Sequence, residues 1–148
     1  MIRKIVCFFL VFFSLTACSP YTESDDSKNW EVLTFTVKKN DWQLKGGTNN
    51  LDSYYQFIFD DVRELTSFVA SQGTVMGYVY QGSGSDEVQT PLPYTIPYGD
   101  VVQGNEVLWT ETTTFDYQAG SIAFYVNYSD FTTEVRPGTM EFRVVLHW

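Results

Sequence analysis

The sequence predicts an all-β protein, mainly an antiparallel β-sandwich of jelly-roll or immunoglobulin-like type, with one short helix and an N-terminal signal peptide. Three observations predict this class. From Trp30 onward, apolar and polar residues alternate with a period of two. Only one segment has helical spacing, and no strand–helix–strand pattern of a parallel sheet occurs. A small barrel is the alternative, and the topology within the class stays open.

The strand prediction depends on which faces the alternating residues share. In the last segment Phe142, Val144 and Leu146 fall on one face, and Glu141 and Arg143 fall on the other. This one-sided pattern is typical of antiparallel strands with one wet face, and we expect six to eight of them. The clearest segments are Trp30–Lys38, Tyr55–Asp60, Thr74–Gln81, Val107–Tyr117, Ser121–Tyr128 and Thr139–Trp148.

A single helix is predicted over Asp61–Gln72. Its apolar residues recur at helical spacing and are Val62, Leu65, Phe68 and Val69. Asp61 is predicted to cap its start, with Glu64 completing a capping box and Gly73 lying just past its end. Turn residues predict loops at Gly46–Asn50, Gly82–Glu87, Gly99–Asn105 and Pro137–Gly138.

Composition excludes several classes of function. Hydrophobic residues make up 44% and aromatic residues 18%, enough to build a core without disulfides. Cys7 and Cys18 both lie near the N-terminus, so the folded part has no thiol for a disulfide, a thiolate zinc site or a cysteine nucleophile. Without Arg3 and Lys4 the chain has 7 basic and 18 acidic residues, a net charge of −11. That charge argues against nucleic acid as a partner and leaves cations or basic partners possible.

The N-terminus predicts a lipoprotein. Arg3 and Lys4 precede an apolar run of 11 residues, Ile5–Leu15, which is too short to span a bilayer at about 20 residues but suits a signal peptide. Leu15-Thr16-Ala17-Cys18 then matches a lipobox, which predicts cleavage after residue 17 and attachment to the membrane through lipid on Cys18. Residues 18–29 are predicted to form a flexible tether, and 30–148 the β-sandwich domain. We expect an outer-membrane lipoprotein, with the leaflet left open.

From the tether onward, the order of short phrases resembles a group of small Bacteroidota β-sandwich lipoproteins without an assigned activity. The matching phrases are Trp30 with Trp42, Leu65-Thr66, Gly73–Tyr80, Leu92-Pro93-Tyr94 and Phe142–Leu146. Together they cover most of residues 30–148. The resemblance implies a β-sandwich lipoprotein of the envelope and implies no catalytic residues.

Catalytic patterns are weak. His147 is the only histidine and falls on the polar face of the last segment, which predicts a surface residue rather than a member of a triad. Ser83 lies in a glycine-rich turn without the context of a nucleophile. Asp86 and Glu87 are adjacent on an extended loop, where neighbouring side chains point apart. We therefore expect no enzyme activity, no metal site and no cofactor.

The surplus of aromatic residues raises the question of ligand stacking. Exposed rings beside polar side chains are typical of carbohydrate sites, although core packing explains most of them. The candidate stacking residues are Trp42, Tyr54, Tyr55, Tyr94 and Tyr98.

Three classes of function remain open. The first is a non-catalytic envelope protein, acting as an accessory or interaction module. The second is a glycan-binding lipoprotein. The third is a fimbrial-type assembly component that uses an unpaired edge strand, for which Val144–Leu146 is the candidate.

Overall fold

The computed structural model describes residues 29–148. The predicted signal peptide, the lipidation at Cys18 and almost all of the predicted tether lie outside the described residues. Among residues 29–148, no helix is both long enough and apolar enough to cross a membrane. The nine strands of this part of the chain, with its one α-helix, are β1 (Trp30–Val37), β2 (Gln43–Lys45), β3 (Tyr54–Asp60), α1 (Ser67–Gln72), β4 (Thr74–Gln81), β5 (Val88–Pro91), β6 (Tyr94–Val102), β7 (Asn105–Gln118), β8 (Ser121–Tyr128) and β9 (Met140–His147).

The strands form two sheets, and every paired neighbour is antiparallel. The four-stranded sheet has the order β1-β9-β4-β5, and the five-stranded sheet has the order β2-β3-β8-β7-β6. The predicted antiparallel β-sandwich with one short helix is therefore confirmed. Between β5 and β6, the chain passes from the four-stranded to the five-stranded sheet through Leu92–Pro93, a cis peptide bond.

The core lies between the inner faces of the two sheets. Phe124 of the five-stranded sheet stacks on Phe142 of the four-stranded sheet, with ring centroids 3.9 Å apart, and both side chains are fully buried. Phe35 and Phe59 make a second contact between the sheets at 4.7 Å. At Gly77, a Cβ atom would lie 2.6 Å from the Phe115 ring, so glycine allows that ring to approach the β4 backbone closely.

The helix is shorter than predicted. Thr66, not Asp61, is its N-cap, and the Thr66 hydroxyl accepts from the Val69 amide. Asp61 has a φ of 62°, and the next amide, that of Val62, donates to the Gly120 carbonyl across the β7–β8 turn. Because this backbone bonds to a neighbouring turn, the capping box with Glu64 does not form. Phe68, predicted on the buried face, is 60% exposed.

Three strands were not predicted from the sequence. They are β2, β5 and β6, which are short or contain proline. Most of the predicted loop Gly99–Asn105 consists of strand, and the turn itself is confined to Gln103 and Gly104, with φ values of 52° and 83°. Positive φ at both residues is the geometry of a two-residue hairpin turn whose twist matches its strands.

Strand β9 is not an edge strand. It pairs with β1 on one side and with β4 on the other. Val144–Leu146, the segment considered for strand exchange, therefore already has two neighbours and offers no unpaired edge.

Candidate functional site

The β6–β7 hairpin extends beyond the rest of the sandwich. Strand β7 has 14 residues, whereas β8 has eight and ends at Tyr128, opposite Glu111. One further contact follows, in which the Ser129 amide donates to the Thr110 carbonyl at 2.9 Å. Toward the tip, β7 pairs with β6 alone. We call this two-stranded part, Pro97–Val102 and Asn105–Thr110, the overhang.

The overhang exposes apolar side chains on both of its faces. Val101 and Leu108 are 64% and 77% exposed on the outer face, and Val102 and Val107 are 50% and 39% exposed on the inner face. An isolated two-stranded hairpin is marginal in water. Apolar residues gathered at such an exposed tip indicate a contact surface rather than a structural necessity.

On the inner face of the overhang, two aromatic rings lie side by side. Tyr98 and Trp109 are cross-strand partners, and their rings are nearly parallel, with centroids 5.8 Å apart at an angle of 18°. They line a groove of about 450 Å³, which we call the hairpin groove. Its lining residues are Tyr98, Asp100, Val102, Val107, Trp109, Glu111, Tyr128, Asp130, Thr132 and Val135.

A second cleft, of about 570 Å³, continues from the hairpin groove between the two sheets. Tyr98 and Glu111 line both spaces. The far wall of the cleft comes from the ends of β4 and β9, including Tyr80 and Glu141. The two spaces therefore form one concave surface at this end of the sandwich, with Tyr98 and Glu111 at its centre.

Glu111 is an acidic residue at an inward-facing position. It occupies the same face of β7 as Thr113 and Phe115, which lie against the core. Burial raises the pKa of Glu111 above its ordinary value, and a hydrogen bond from Tyr128 partly opposes that rise. Burial, followed by the charge of Glu111, raises the pKa of the Tyr128 phenol. A partly desolvated carboxylate that opens onto a groove is a candidate ligand contact.

The loop between β8 and β9 forms one wall of the hairpin groove, and side-chain hydrogen bonds hold it in place. The Tyr55 hydroxyl donates to the Thr133 carbonyl at 2.8 Å. The Trp42 indole donates to the Gly138 carbonyl at 2.9 Å. At the middle of the loop, the Thr133 amide donates to the Asn49 side chain at 2.9 Å. Trp42 and Tyr55 therefore support the wall from the core, and Asn49 supports it at the surface.

The five aromatic residues suggested for ligand stacking do not form one surface. Trp42 and Tyr55 are 1% and 3% exposed and belong to the core. Tyr54 lies on the outer face of the five-stranded sheet, with its ring 5.9 Å from that of Tyr125. Tyr94 packs against the core, and Tyr98 alone lines the hairpin groove. The buried pair instead contributes hydrogen bonds that position the groove wall.

The residues weighed for catalysis are far apart. His147 is exposed at one end of β9, and Met140, which lines the cleft, lies at the other end. The seven residue steps of strand that separate them span about 23 Å. Ser83 and Glu87 line the cleft near its mouth, and both are exposed. Within the described part of the chain, no group of three or more histidine, cysteine or acidic side chains could hold a metal ion.

Two residues of the groove, Trp109 and Glu111, were not identified as site residues from the sequence. The alternation of β7 places both on an inner face, and inward alternation ordinarily predicts core. The available signal was Glu111 itself, because a carboxylate at an inward position of an otherwise apolar and threonine-rich face is uncommon.

Comparisons of the chain with protein-family models, with curated proteins and with solved structures found no match.

Proposed function

We propose that this protein is a non-catalytic envelope lipoprotein, an interaction module that binds a partner in the hairpin groove. One observation carries the proposal. The overhang presents an exposed inner face, with Tyr98, Trp109 and two valines, that the four-stranded sheet does not cover. Aromatic residues in a concave surface, ringed by polar side chains, are the usual anchors of protein interfaces.

The stability of the groove supports binding. The hairpin groove is lined by two strands of one sheet and by a wall that Tyr55 and Trp42 hold in place. A preformed surface loses less conformational entropy when a partner binds. A binding role therefore fits this end of the sandwich better than a role in packing the fold.

The non-catalytic part of the proposal rests on the distances between chemical groups. His147 and the groove lie at opposite ends of β9. The groove offers carboxylates, rings and a threonine, and its lining contains no histidine, serine or cysteine. Catalysis by a serine or cysteine with a histidine base requires the two side chains within hydrogen-bond reach, and the groove does not offer that pair.

A glycan-binding function is the second candidate. Tyr98 and Trp109 place two nearly parallel rings beside Asp100 and Glu111, and sugars bind to such rings through CH groups while carboxylates accept from hydroxyls. Screening the full chain against a glycan array, with Trp109→Ala as the control, tests this function directly. Binding that survives in Trp109→Ala would place any glycan site elsewhere.

Site-specific photo-crosslinking in intact envelopes tests the interaction module. A photoreactive residue replaces Val107, 39% exposed in the groove, and in a matched control it replaces Val88, 57% exposed on β5 of the other sheet. The proposal expects a discrete protein adduct from position 107 that is absent from position 88. Equal adducts from both positions, or none from position 107, would overturn it.

The membrane anchor has its own test, because it concerns residues outside those described. Replacing Cys18 with serine removes the thiol that accepts the lipid. The protein should then leave the outer-membrane fraction and change its electrophoretic mobility. Unchanged fractionation and unchanged mobility would exclude the lipid anchor.

A further inference from the structure

The charges of the chain are separated along its length. Residues 64–135 contain nine acidic residues and no lysine, arginine or histidine. This segment includes α1 and β4 to β8, and therefore both strands of the overhang. Arg63 and Arg136 flank the segment, and the Arg136 guanidinium donates to the Asn40 carbonyl at 3.3 Å. Lys39 lies at the same end of the sandwich, where its amide donates to Thr139 of the cleft, so the negative charge is local to the overhang and the groove lining.

The groove itself is lined by three acidic residues, Asp100, Glu111 and Asp130. The adjoining cleft adds Glu87. No basic side chain is among the residues that line either space. A bound partner therefore meets negative charge on several sides, with aromatic rings between the carboxylates.

We propose that the occupant of the hairpin groove is an arginine-bearing segment of a partner protein. This inference rests on the proposed function and names its ligand chemistry. A guanidinium group stacks on aromatic rings such as Trp109 and pairs with carboxylates such as Glu111. The aliphatic stem of the same side chain covers apolar surface such as Val107. The rings and carboxylates together match the guanidinium group of an arginine, and the exposed valines match its aliphatic stem.

Two matched peptides test the charge requirement. The probes are an acetylated tetra-arginine amide and its tetra-citrulline counterpart, which has nearly the same shape but an uncharged urea in place of each guanidinium group. Calorimetric titration into the full chain in nonionic detergent should show binding of the arginine peptide that is at least about tenfold tighter than binding of the citrulline peptide. Raising the salt concentration from about 50 to 300 mM should weaken binding of the arginine peptide.

Variants then locate the binding. Glu111→Gln preserves shape, and we expect it to weaken arginine-peptide binding about five- to tenfold, whereas Glu64→Gln, an exposed carboxylate beside α1, should leave it unchanged. Trp109→Ala should weaken binding about tenfold, and Trp109→Phe should retain part of it because the ring remains. Thermal melting of each variant identifies any loss of folding.

The possible results distinguish failure of the arginine proposal from failure of the proposed interaction module. Equal binding of the two peptides, or equal losses in Glu111→Gln and Glu64→Gln, overturns the arginine proposal while the crosslink from position 107 still supports a partner site. Absence of that crosslink overturns the interaction module itself, whatever the peptides do.

Discussion

The two halves of strand β7 share one alternation but have different surroundings. In the half nearer the β7–β8 turn, Thr113 is buried and Phe115 packs into the core against the four-stranded sheet. In the half nearer the hairpin tip, Val107, Trp109 and Glu111 occupy the same face and open onto the groove. One end of β7 therefore packs in the core, and the other end lines the candidate binding surface.

The difference arises from strand length, because the strands beside and opposite β7 are shorter. Strand β8 ends opposite Glu111, and β9 begins only at Met140, at the edge of the cleft. Beyond those points an inward-facing side chain has no sheet to meet. The residue types on this face change where the neighbouring strands end, because a carboxylate is tolerated only where water and a hydroxyl partner are within reach.

The largest expected contrast is between a large-to-small change in each region. Phe124→Ala removes a fully buried ring that stacks on Phe142 and should lower the free energy of unfolding by about 3–5 kcal/mol. Trp109→Ala removes a larger ring from the open half and should cost about 1 kcal/mol or less, since little cavity is left. Denaturant unfolding measures both values. Similar decreases in the free energy of unfolding for the two variants would show that Trp109 stabilises the fold as a core residue does.

The covered half also has no room for added atoms. Gly77→Ala places a methyl group against the Phe115 ring and should cost about 1–3 kcal/mol by overpacking. Gly138→Ala is the matched control, because a Cβ at that position meets no atom within 4 Å. Thermal melting compares the two variants. A neutral Gly77→Ala would mean that Phe115 has space to move away.

The wall of the open half depends on a bond from the core. Tyr55→Phe deletes only the hydroxyl that donates to the Thr133 carbonyl and should cost about 1 kcal/mol. Amide hydrogen exchange should rise across the loop between β8 and β9 and stay unchanged in β9. Faster exchange throughout the sandwich would instead place the hydroxyl among the supports of the whole fold.

The smallest effect concerns the charge of Glu111 and has a defined sign. Burial raises the pKa of this carboxyl above its ordinary 4.5, so the folded state favours the protonated form. The stability from that preference is fully present below the ordinary pKa and is lost as pH rises through the raised one. The Glu111→Gln variant does not lose this stability. The difference in melting temperature between the variant and the unsubstituted protein should therefore rise from pH 4 to pH 7. A constant or falling difference would contradict the desolvation of Glu111.

Sequence periodicity was sufficient for the strands that pack against the opposite sheet. Burial on one face imposes alternation, and β1, β3, β4, β8 and β9 all show it. Strand β6 was missed because Pro97 and Gly99 resemble loop residues. Pro97 is tolerated because its partner Thr110 turns its amide and carbonyl toward Ser129, so the nitrogen of Pro97 faces the free edge.

The candidate site was harder to predict, for a reason that is tertiary. Trp42 and Tyr98 are both aromatic residues beside polar neighbours, yet one is buried and the other lines the groove. Alternation identifies the face of a strand but not whether another sheet covers that face. Trp109 and Glu111 become a site only through the early ends of β8 and β9, which no local pattern encodes.

The two-residue turn at Gln103 and Gly104 makes the reach of the hairpin adjustable. The overhang lies outside the core. Two residues could therefore be inserted into, or deleted from, each of its strands beside the turn, and every contact between the sheets would stay in place. Each such step changes the hairpin length by about 7 Å and keeps the same residues facing inward, because the side-chain period is two. The depth of the groove can therefore diverge among related chains without a change in the scaffold that supports it.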